Sequence, residues 1–178
     1  GIRNVNALLR LTTNLINFER ADTYSSALYV SEYELSTYME EMINAFRAYA
    51  DVKRISLTYE SNFRYMNTWL DKDKMDSILK NLISNALKYT PEGGSVHIYT
   101  AETEDYWSVE VKDTGIGIPA NRVAKIFERF GKINNFAQGT GLGLTVSRML
   151  VERMGGRIWV RSGEGIGTTF YFTLPLLS

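Results

Sequence analysis

The sequence predicts an α+β domain, a two-layer sandwich in which helices cover one face of a mixed sheet. Helical and strand periodicities follow one another irregularly along the 178 residues, without the strand–helix–strand repeat of a parallel fold. All but one of the 14 glycines lie at or beyond residue 93, so turns and loops suited to ligand contact concentrate in the second half.

The composition limits the classes of function. The chain contains 44% hydrophobic and 22% charged residues, as in an ordinary globular domain. Its 20 Lys and Arg balance 20 Asp and Glu, which argues against nucleic acid or an anionic membrane as a partner. It has no Cys, which excludes disulfides and thiolate metal sites, and no apolar run long enough to span a membrane.

Periodicity predicts the elements in order. In the first half these are a helix over 2–20, a polar connector over 22–26, a strand over 27–33, a helix over 34–50, strands over 55–60 and 68–70, and a helix over 73–89. In the second half they are a hairpin of strands 96–102 and 107–112, a short helix over 119–128, a helix over 141–154, and a hairpin of strands 157–162 and 168–174. Trp69, Trp107 and Trp159 fall on predicted strands and are expected in the core.

Three polar residues of the helix over 73–89 form the first candidate site. Asn81, Asn85 and Lys88 are spaced four and three residues apart, so they project within a narrow arc beside the apolar stripe. Amide oxygens suit Mg²⁺ and an ammonium group suits phosphate, so a cleft that binds a metal–phosphate group is one interpretation. A solvated flank of the helix is the alternative.

Two glycine-containing loops are the other candidates. In the first glycine loop, Asp113–Pro119, a carboxylate at a strand end can accept a hydrogen bond from the exocyclic amine of a base. An ordinary strand-to-helix turn is the alternative. The second glycine loop, Gln138–Leu144, leads into a helix whose free N–H groups can bind an anion, unless it is an idle surface loop. The preceding residues 131–138 are suited to a mobile lid.

Five segments, in order, resemble the ATP-binding domain of sensor histidine kinases, within the GHKL superfamily. They are an N-box at 81–90, a first glycine box at 113–119, a phenylalanine box at 127–130, a second glycine box at 139–144 and a last box at 167–170. Phe127 and Phe130 are expected to anchor the base of the lid. The resemblance covers roughly residues 25 to 176 and implies a Bergerat-type fold, ATP and Mg²⁺ as ligands, and protein-histidine kinase activity in two-component signalling.

The resemblance also implies residue roles. Asn85, helped by Asn81, would hold Mg²⁺ against the triphosphate, Lys88 would contact phosphate, and Tyr89 would lie near the sugar and phosphates. The residues implied around adenine are Asp113, Gly115, Gly117, Ile118 and Thr168. Those implied around the phosphates are Gly139, Thr140, Gly141, Leu142 and Gly143, with Lys132 where many relatives place an arginine that reaches the γ-phosphate.

The resemblance further implies a kinase without its acceptor. Relatives such as DNA gyrase, Hsp90 and MutL-type ATPases have a water-activating Glu where this chain has Asn81, which favours phosphoryl transfer to a protein side chain over hydrolysis. The single His, His97, is expected to be an ordinary strand residue, so the chain is not expected to phosphorylate itself. A nucleotide-sensing or docking module and an ATPase without phosphotransfer remain the alternatives.

The same resemblance implies how the chain is organised and what it meets. Residues 1–22 would be part of the second helix of a dimerisation hairpin, and 23–178 the catalytic domain. The implied partners are the phosphoacceptor histidine of that hairpin and a response-regulator receiver domain. The parent would be a membrane-associated homodimer with this part in the cytoplasm, and the fragment itself is expected to be monomeric.

Overall fold

A computed structural model describes residues 27–127 and 141–176. The helix expected over 2–20 lies outside these ranges. The described strands are β1 (Ser31–Glu34), β2 (Ser56–Ser61), β3 (Asn67–Leu70), β4 (Ser95–Glu102), β5 (Tyr106–Asp113), β6 (Arg157–Gly163) and β7 (Gly167–Pro175). The described helices are α1 (Leu35–Asn44), α2 (Arg47–Lys53), α3 (Lys72–Tyr89), α4 (Ala120–Val123) and α5 (Gly141–Arg153).

The main sheet has five strands in the order β2-β4-β5-β7-β6. Strands β2 and β4 are parallel, and the other neighbours are antiparallel, so the sheet is mixed as predicted. The register of β5 and β7 places Asp113 opposite Thr168, although 55 residues separate them in sequence. Strands β1 and β3 form a separate antiparallel pair, which the sequence did not indicate.

Alternation along the strands gives the sheet one buried and one open face. In β4 and β5, Val96, Ile98, Val109 and Val111 are fully buried, while the residues between them are partly exposed. Helix α3 belongs to the same core and buries its apolar stripe, including Ile78. Burial of each such side chain contributes about 1.5–3 kcal/mol, so this layer fixes the position of α3 against the sheet. The α+β sandwich is confirmed.

The single helix expected over 34–50 is two helices. Glu34 lies outside α1 and caps it, because its carboxylate accepts hydrogen bonds from the backbone N–H groups of Ser36 (2.8 Å) and Thr37 (3.1 Å). The chain then breaks at Phe46, whose N–H bonds to the Ile43 carbonyl three residues back. The apolar period runs through this break, so the sequence pattern did not reveal it.

The strand expected over 27–33 begins only at Ser31. Preceding residues bond to side chains instead of to a neighbouring strand: the Tyr29 N–H donates to Asp71 (3.0 Å), and Lys74 Nζ donates to the carbonyl of Ala27 (2.9 Å). Asp71 and Lys74 also form a buried ion pair at 3.0 Å. This pair fastens the start of the described chain to the first turn of α3.

The prediction for the tryptophans was wrong in two of three cases. Trp107 is 1% exposed, but Trp69 and Trp159 are 41% and 39% exposed. Trp159 lies on the open face of the sheet and stacks on Tyr171, with ring centroids 5.4 Å apart. Strand periodicity gives two alternating faces but does not say which of them is covered.

The short helix after Pro119 and the strand position of His97 were both predicted from the sequence. The short helix expected over 119–128 is α4, capped by Pro119 and extending only to Val123. His97 lies within β4 as predicted, with Nδ1 2.6 Å from Thr58 Oγ1. Within 27–127 and 141–176, no helix is long and apolar enough to cross a membrane.

Candidate functional site

The first candidate residue, Asp113, ends β5 and is 7% exposed. Its Oδ1 accepts hydrogen bonds from the backbone N–H groups of Gly115 (2.8 Å) and Thr168 (3.1 Å). Burial raises the pKa of this carboxyl above its usual value, while the two N–H donors act in the opposite direction. Because both bonds use Oδ1, the second oxygen is left to accept a hydrogen from a ligand.

The first glycine loop is packed against its neighbours by backbone contacts. Gly117 has φ +74°, and a Cβ there would collide with the carbonyl of Gly163. A Cβ on Gly115 would lie 2.5 Å from the carbonyl oxygen of Tyr89, at the end of α3. The Gly165 N–H also donates to the Ile116 carbonyl at 2.8 Å. The glycines are therefore needed for the loop to approach both α3 and the β6–β7 turn.

A pocket of about 400 Å³ opens between α3, the first glycine loop, β7 and α5. Its walls are mainly apolar, with polar groups from four side chains: Asn85, Tyr89, Asp113 and Thr168. The lining residues are Asn85, Ala86, Tyr89, Asp113, Ile116, Gly117, Ile118, Ile126, Leu144, Thr168 and Phe170. An apolar pocket with a few convergent polar groups suits a flat ring with one polar edge.

Of the polar trio on α3, Asn85 lines this pocket. It is 6% exposed, and its Oδ1 is buried with no hydrogen-bond partner among the described residues. A buried amide oxygen without a partner costs free energy, and a cation supplied with the ligand would satisfy it. No cluster of three or more His, Cys, Asp or Glu in the described ranges is placed to hold a metal. The donor set present therefore fits Mg²⁺ held by an amide oxygen and a bound phosphate.

Asn81 has a different environment. It is 7% exposed, and its Nδ2 donates to the Gly143 carbonyl at 3.2 Å and to Ser147 Oγ at 3.4 Å. Ser147 Oγ itself donates to the Gly143 carbonyl at 2.8 Å. A Cβ on Gly143 would lie 3.1 Å from Asn81 Oδ1, so the helices approach closely here. Asn81 thereby ties α3 to the first turn of α5.

The phosphate-side residues are only partly described. Gly141 and Leu142 open α5, as the sequence predicts for a helix that follows the second glycine loop. Lys132, Gly139 and Thr140 lie outside the described residues, as does Phe130. Phe127 packs edge-on against Phe170 with ring centroids 6.1 Å apart, beside the pocket.

The end of α3 is held by a residue that sequence reasoning missed. Lys53 Nζ donates to the carbonyl oxygens of Leu87 (2.7 Å), Lys88 (3.2 Å) and Thr90 (2.9 Å). A cation at the C-terminal end of a helix donates to the last carbonyl groups and interacts favourably with the negative end of the helix dipole. Burial lowers the pKa of Lys53. Lys88 itself is exposed, with Nζ 5.6 Å from the centre of the Tyr89 ring.

An open mixed sheet with helices on one face, and a pocket lined by α3, the first glycine loop and the start of α5, define the class of Bergerat-type ATP-binding domains. Comparison with known proteins agrees. Residues 70–178 match the family described as "Histidine kinase-, DNA gyrase B-, and HSP90-like ATPase". The chain belongs to this family, and it is a catalytic domain of the sensor histidine kinase type.

Individual relatives support this placement. The chain is 36% identical over 174 residues to the sensor histidine kinase WalK of Bacillus subtilis. The match covers 94% of this chain and 28% of WalK. It resembles the solved catalytic domain of the histidine kinase ThkA with a TM-score of 0.77 and 28% identity, covering 84% of this chain and 97% of ThkA's domain. The structure of ThkA in complex with the response regulator TrrA gives a TM-score of 0.76 and 26% identity. This match covers 96% of this chain and 48% of the ThkA chain. The chain thus spans less than a third of the length of WalK.

Proposed function

We propose that this chain binds Mg·ATP and donates the γ-phosphate to a histidine of a dimerisation domain, as the catalytic part of a larger sensor kinase. The observation that carries this proposal is the composition of the pocket. Asp113 is the one acid among its described lining residues. The described lining of the pocket therefore holds no second acid that could activate water, which supports transfer over hydrolysis.

The roles follow from the donors and acceptors present. Asp113 accepts a hydrogen from the adenine amine, and the first glycine loop with Ile118 covers the ring. Asn85 Oδ1 would hold Mg²⁺, which would neutralise part of the triphosphate charge, and Lys88 contacts phosphate. Asn81 contributes by holding α5, and with it Gly143, against α3. The γ-phosphoryl group passes from the ADP oxygen to an imidazole nitrogen, and ADP leaves.

The remaining residues of the site surround the sugar, the phosphates and the adenine end. Tyr89 flanks the sugar and phosphates, and Thr168 supports the adenine end. The residues assigned to the phosphates are Gly139, Thr140, Gly141, Leu142 and Gly143, with Lys132 reaching the γ-phosphate.

The organisation and partners are proposed on the same basis. Residues 1–22 form part of a dimerisation hairpin, and 23–178 form the catalytic domain. The acceptor histidine belongs to the hairpin, and a receiver domain takes the phosphate next, in keeping with the ThkA–TrrA complex. The requirement for ATP places this part of the parent in the cytoplasm.

The chain by itself is not expected to transfer the γ-phosphate of ATP to one of its own residues. His97 lies in the middle of β4, opposite Thr58 on one side and Lys112 on the other, and bonds to Thr58. A histidine locked within a sheet cannot reach a γ-phosphate in its own pocket.

A transfer assay tests the proposal. The chain is incubated with γ-labelled ATP and Mg²⁺, with and without the dimerisation hairpin of a relative such as WalK. Label is expected on the hairpin and not on the chain, and a hairpin with its acceptor His changed to Gln should stay unlabelled. Release of inorganic phosphate without transfer would instead favour the ATPase alternative, and tight binding with neither reaction would favour a nucleotide-sensing module.

A further inference from the structure

Strand β6 forms one edge of the main sheet. Among the residues that the structure describes, it pairs with β7 and with no second strand. Its last residues are held by the first glycine loop and β7, because Ser162 Oγ accepts from the Ile118 N–H at 2.7 Å and lies 2.8 Å from Thr168 Oγ1. The other end, 157–160, borders a groove of about 770 Å³ between β6, α4 and α5. A strand edge of this kind is a template for pairing with another chain.

The hydrogen-bond pattern of the sheet shows which backbone groups of β6 point outward. In an antiparallel sheet, successive residues of a strand bond alternately to its two neighbours. The Leu176 N–H, directly after β7, donates to the Asp105 carbonyl on the β5 side at 3.0 Å, so the odd-numbered residues of β7 bond to β6. The register pairs them with the odd-numbered residues of β6. The N–H and C=O groups of Ile158 and Val160 therefore point away from β7.

On the helix side, this edge is apolar. The apolar side chains that line the groove there are Val123, Phe127, Ile158 and Val160, all of which are half-buried and pack against the core. The charged pair in the lining, Arg148 and Glu152, is bonded to itself at 2.9 Å, and both side chains are more than half exposed. A strand added to β6 would thus meet an apolar surface on this side.

On the open face of the sheet, the same edge is basic. Arg157 and Arg161 are exposed on either side of the exposed Trp159. The Trp159 ring stacks on Tyr171, and the Arg161 guanidinium lies 5.8 Å from the centre of the Tyr171 ring. Opposite charges on neighbouring strands stabilise a sheet, so acidic side chains on an added strand would complement the two arginines.

The two arginines also disfavour a second copy of this chain as the added strand. If two copies of β6 paired antiparallel about Trp159, Arg157 of each copy would face Arg161 of the other. Like charges directly opposite each other destabilise a strand pair, and charged residues on edge strands prevent self-pairing in this way. An extended segment with acidic residues meets no such repulsion.

We propose that β6 is a docking edge for an extended protein segment in which apolar and acidic side chains alternate. The segment adds to the sheet as a further strand and bonds to the outward backbone groups of Ile158 and Val160. Its apolar side chains occupy the groove, and its acidic side chains lie beside Arg157 and Arg161. Among the described residues, none lines both this groove and the nucleotide pocket, so the inference does not depend on the proposed function.

Two short peptides test the charge preference. Binding of acetyl-Val-Glu-Val-Glu-Val-amide and acetyl-Val-Lys-Val-Lys-Val-amide to the ¹⁵N-labelled chain is followed by NMR. The Glu peptide is expected to bind about 10-fold more tightly, by a factor that falls with added salt. Arg157→Glu combined with Arg161→Glu should reverse this preference. Arg54→Glu combined with Arg64→Glu makes the same change in charge at exposed positions beside β2, the opposite edge of the sheet, and should keep the preference.

Backbone methylation of the Glu peptide tests strand addition itself. In an antiparallel pair, the valines lie opposite Ile158 and Val160 and their N–H groups bond to β6, whereas in a parallel pair the glutamate N–H groups do so. N-methylation of one of the two sets should therefore abolish binding, and N-methylation of the other set should preserve it. The bound peptide should also slow hydrogen exchange at the Ile158 and Val160 amides more than at Trp159, whose N–H already faces β7.

Four results would overturn the inference. The first is a Glu peptide that binds no more tightly than the Lys peptide, and the second is loss of binding with both methylated peptides or with neither. The third is full protection of the Ile158 and Val160 amides without peptide, which would mean that the chain itself covers this edge. The fourth is protection that rises with protein concentration, which would indicate a second copy. Nucleotide binding is not a readout of these experiments, so the proposed nucleotide site is tested separately.

Discussion

The side-chain amide of Asn81 donates to the backbone carbonyl of Gly143, 3.2 Å away and 62 residues later in the chain. Ser147 completes this contact, because it donates to the same carbonyl and accepts from Asn81. Two helices that frame the pocket, α3 and α5, are thereby joined at the residue where related ATPases carry an acid. An asparagine here provides an N–H donor that an acid would lack.

Asn81→Asp tests the importance of that donor. A carboxylate would face the Gly143 carbonyl with no hydrogen to donate, so we expect the free energy of unfolding to fall by about 1–3 kcal/mol and nucleotide affinity to fall with it. Denaturant unfolding and ADP titration measure both. Asn44→Asp, the same change at an exposed position of α1, should alter stability by less than about 0.5 kcal/mol. Tighter Mg²⁺ binding with unchanged stability would instead favour Asn81 as a metal ligand.

Asn85→Ala should separate metal binding from stability. The variant removes a buried oxygen that has no hydrogen-bond partner among the described residues. The free energy of unfolding should therefore change less than is usual for a substitution at a buried position. Mg²⁺-dependent ADP affinity should fall about 10- to 100-fold, and the difference between titrations with and without Mg²⁺ should vanish. Lys80→Ala on the same helix is the control. An Asn85→Ala variant that keeps its Mg²⁺ dependence would contradict the assignment.

Asp113→Asn should preserve the fold but not the adenine contact. The amide oxygen can still accept from Gly115 and Thr168, while its NH₂ group would face the adenine amine, donor against donor. We expect ATP affinity to fall roughly 30- to 100-fold, as for a lost hydrogen bond to a charged group. Calorimetry measures this, and circular dichroism verifies the fold. Unchanged affinity would exclude Asp113 as the adenine acceptor.

The raised pKa of Asp113 gives a pH dependence of known sign. Burial makes the charged form costly in the folded state, so this group's contribution to stability is present at acidic pH and is lost as pH rises through its folded pKa. The free energy of unfolding of the wild type, relative to that of Asp113→Asn, should therefore decline as the pH rises through the folded pKa of Asp113. Nucleotide binding needs the carboxylate and should weaken in the opposite direction, as pH falls. A binding profile that is identical for both proteins would contradict this prediction.

Lys53→Met should loosen the end of α3. The three carbonyl oxygens that accept from Nζ lose a cationic partner, which should lower the free energy of unfolding by about 1 kcal/mol, allowing for the partial exposure of the group. Nucleotide affinity should decrease a few-fold, because Lys88 and Tyr89 lie on the released turn. Lys53→Arg keeps the charge and the donors and should restore most of both quantities. Full stability in Lys53→Met would exclude this capping role.

Arg54→Gly should stabilise the domain. Arg54 ends α2 with φ +56°, a left-handed conformation that is unfavourable for a residue with a Cβ. Replacement by glycine should raise the free energy of unfolding by about 0.5–1 kcal/mol. Arg54→Ala is the matched control, because it also loses the exposed pair with Glu92 but keeps the Cβ. Equal stability of the Gly and Ala variants would show that the conformation is not strained.

Helix α3 and much of the second half of the chain could be predicted from local pattern. The helix expected over 73–89 is α3, which begins one residue earlier, and both predicted hairpins form, with boundaries shifted by a residue or so. The hydrophobic period, the glycine turns and the proline positions depend only on residues close in sequence, so the elements that they predict are present in the fold. The break at Phe46 was missed because the apolar period continues across it.

The kinds of side chain at each element follow from the sequence: a carboxylate at the end of β5, amides and a lysine on α3, and glycines where backbones must approach. The tertiary structure alone decided the partner of each side chain. Asn81 bonds to α5 while Asn85 keeps an unpaired oxygen, Ser162 joins two pocket walls, and Lys53 closes α3. The physical reason is that a hydrogen bond depends on distance and direction in space. The bonds from Lys53 to α3, from Ile118 to Ser162 and from Asn81 to α5 join residues 34 to 66 positions apart in the chain.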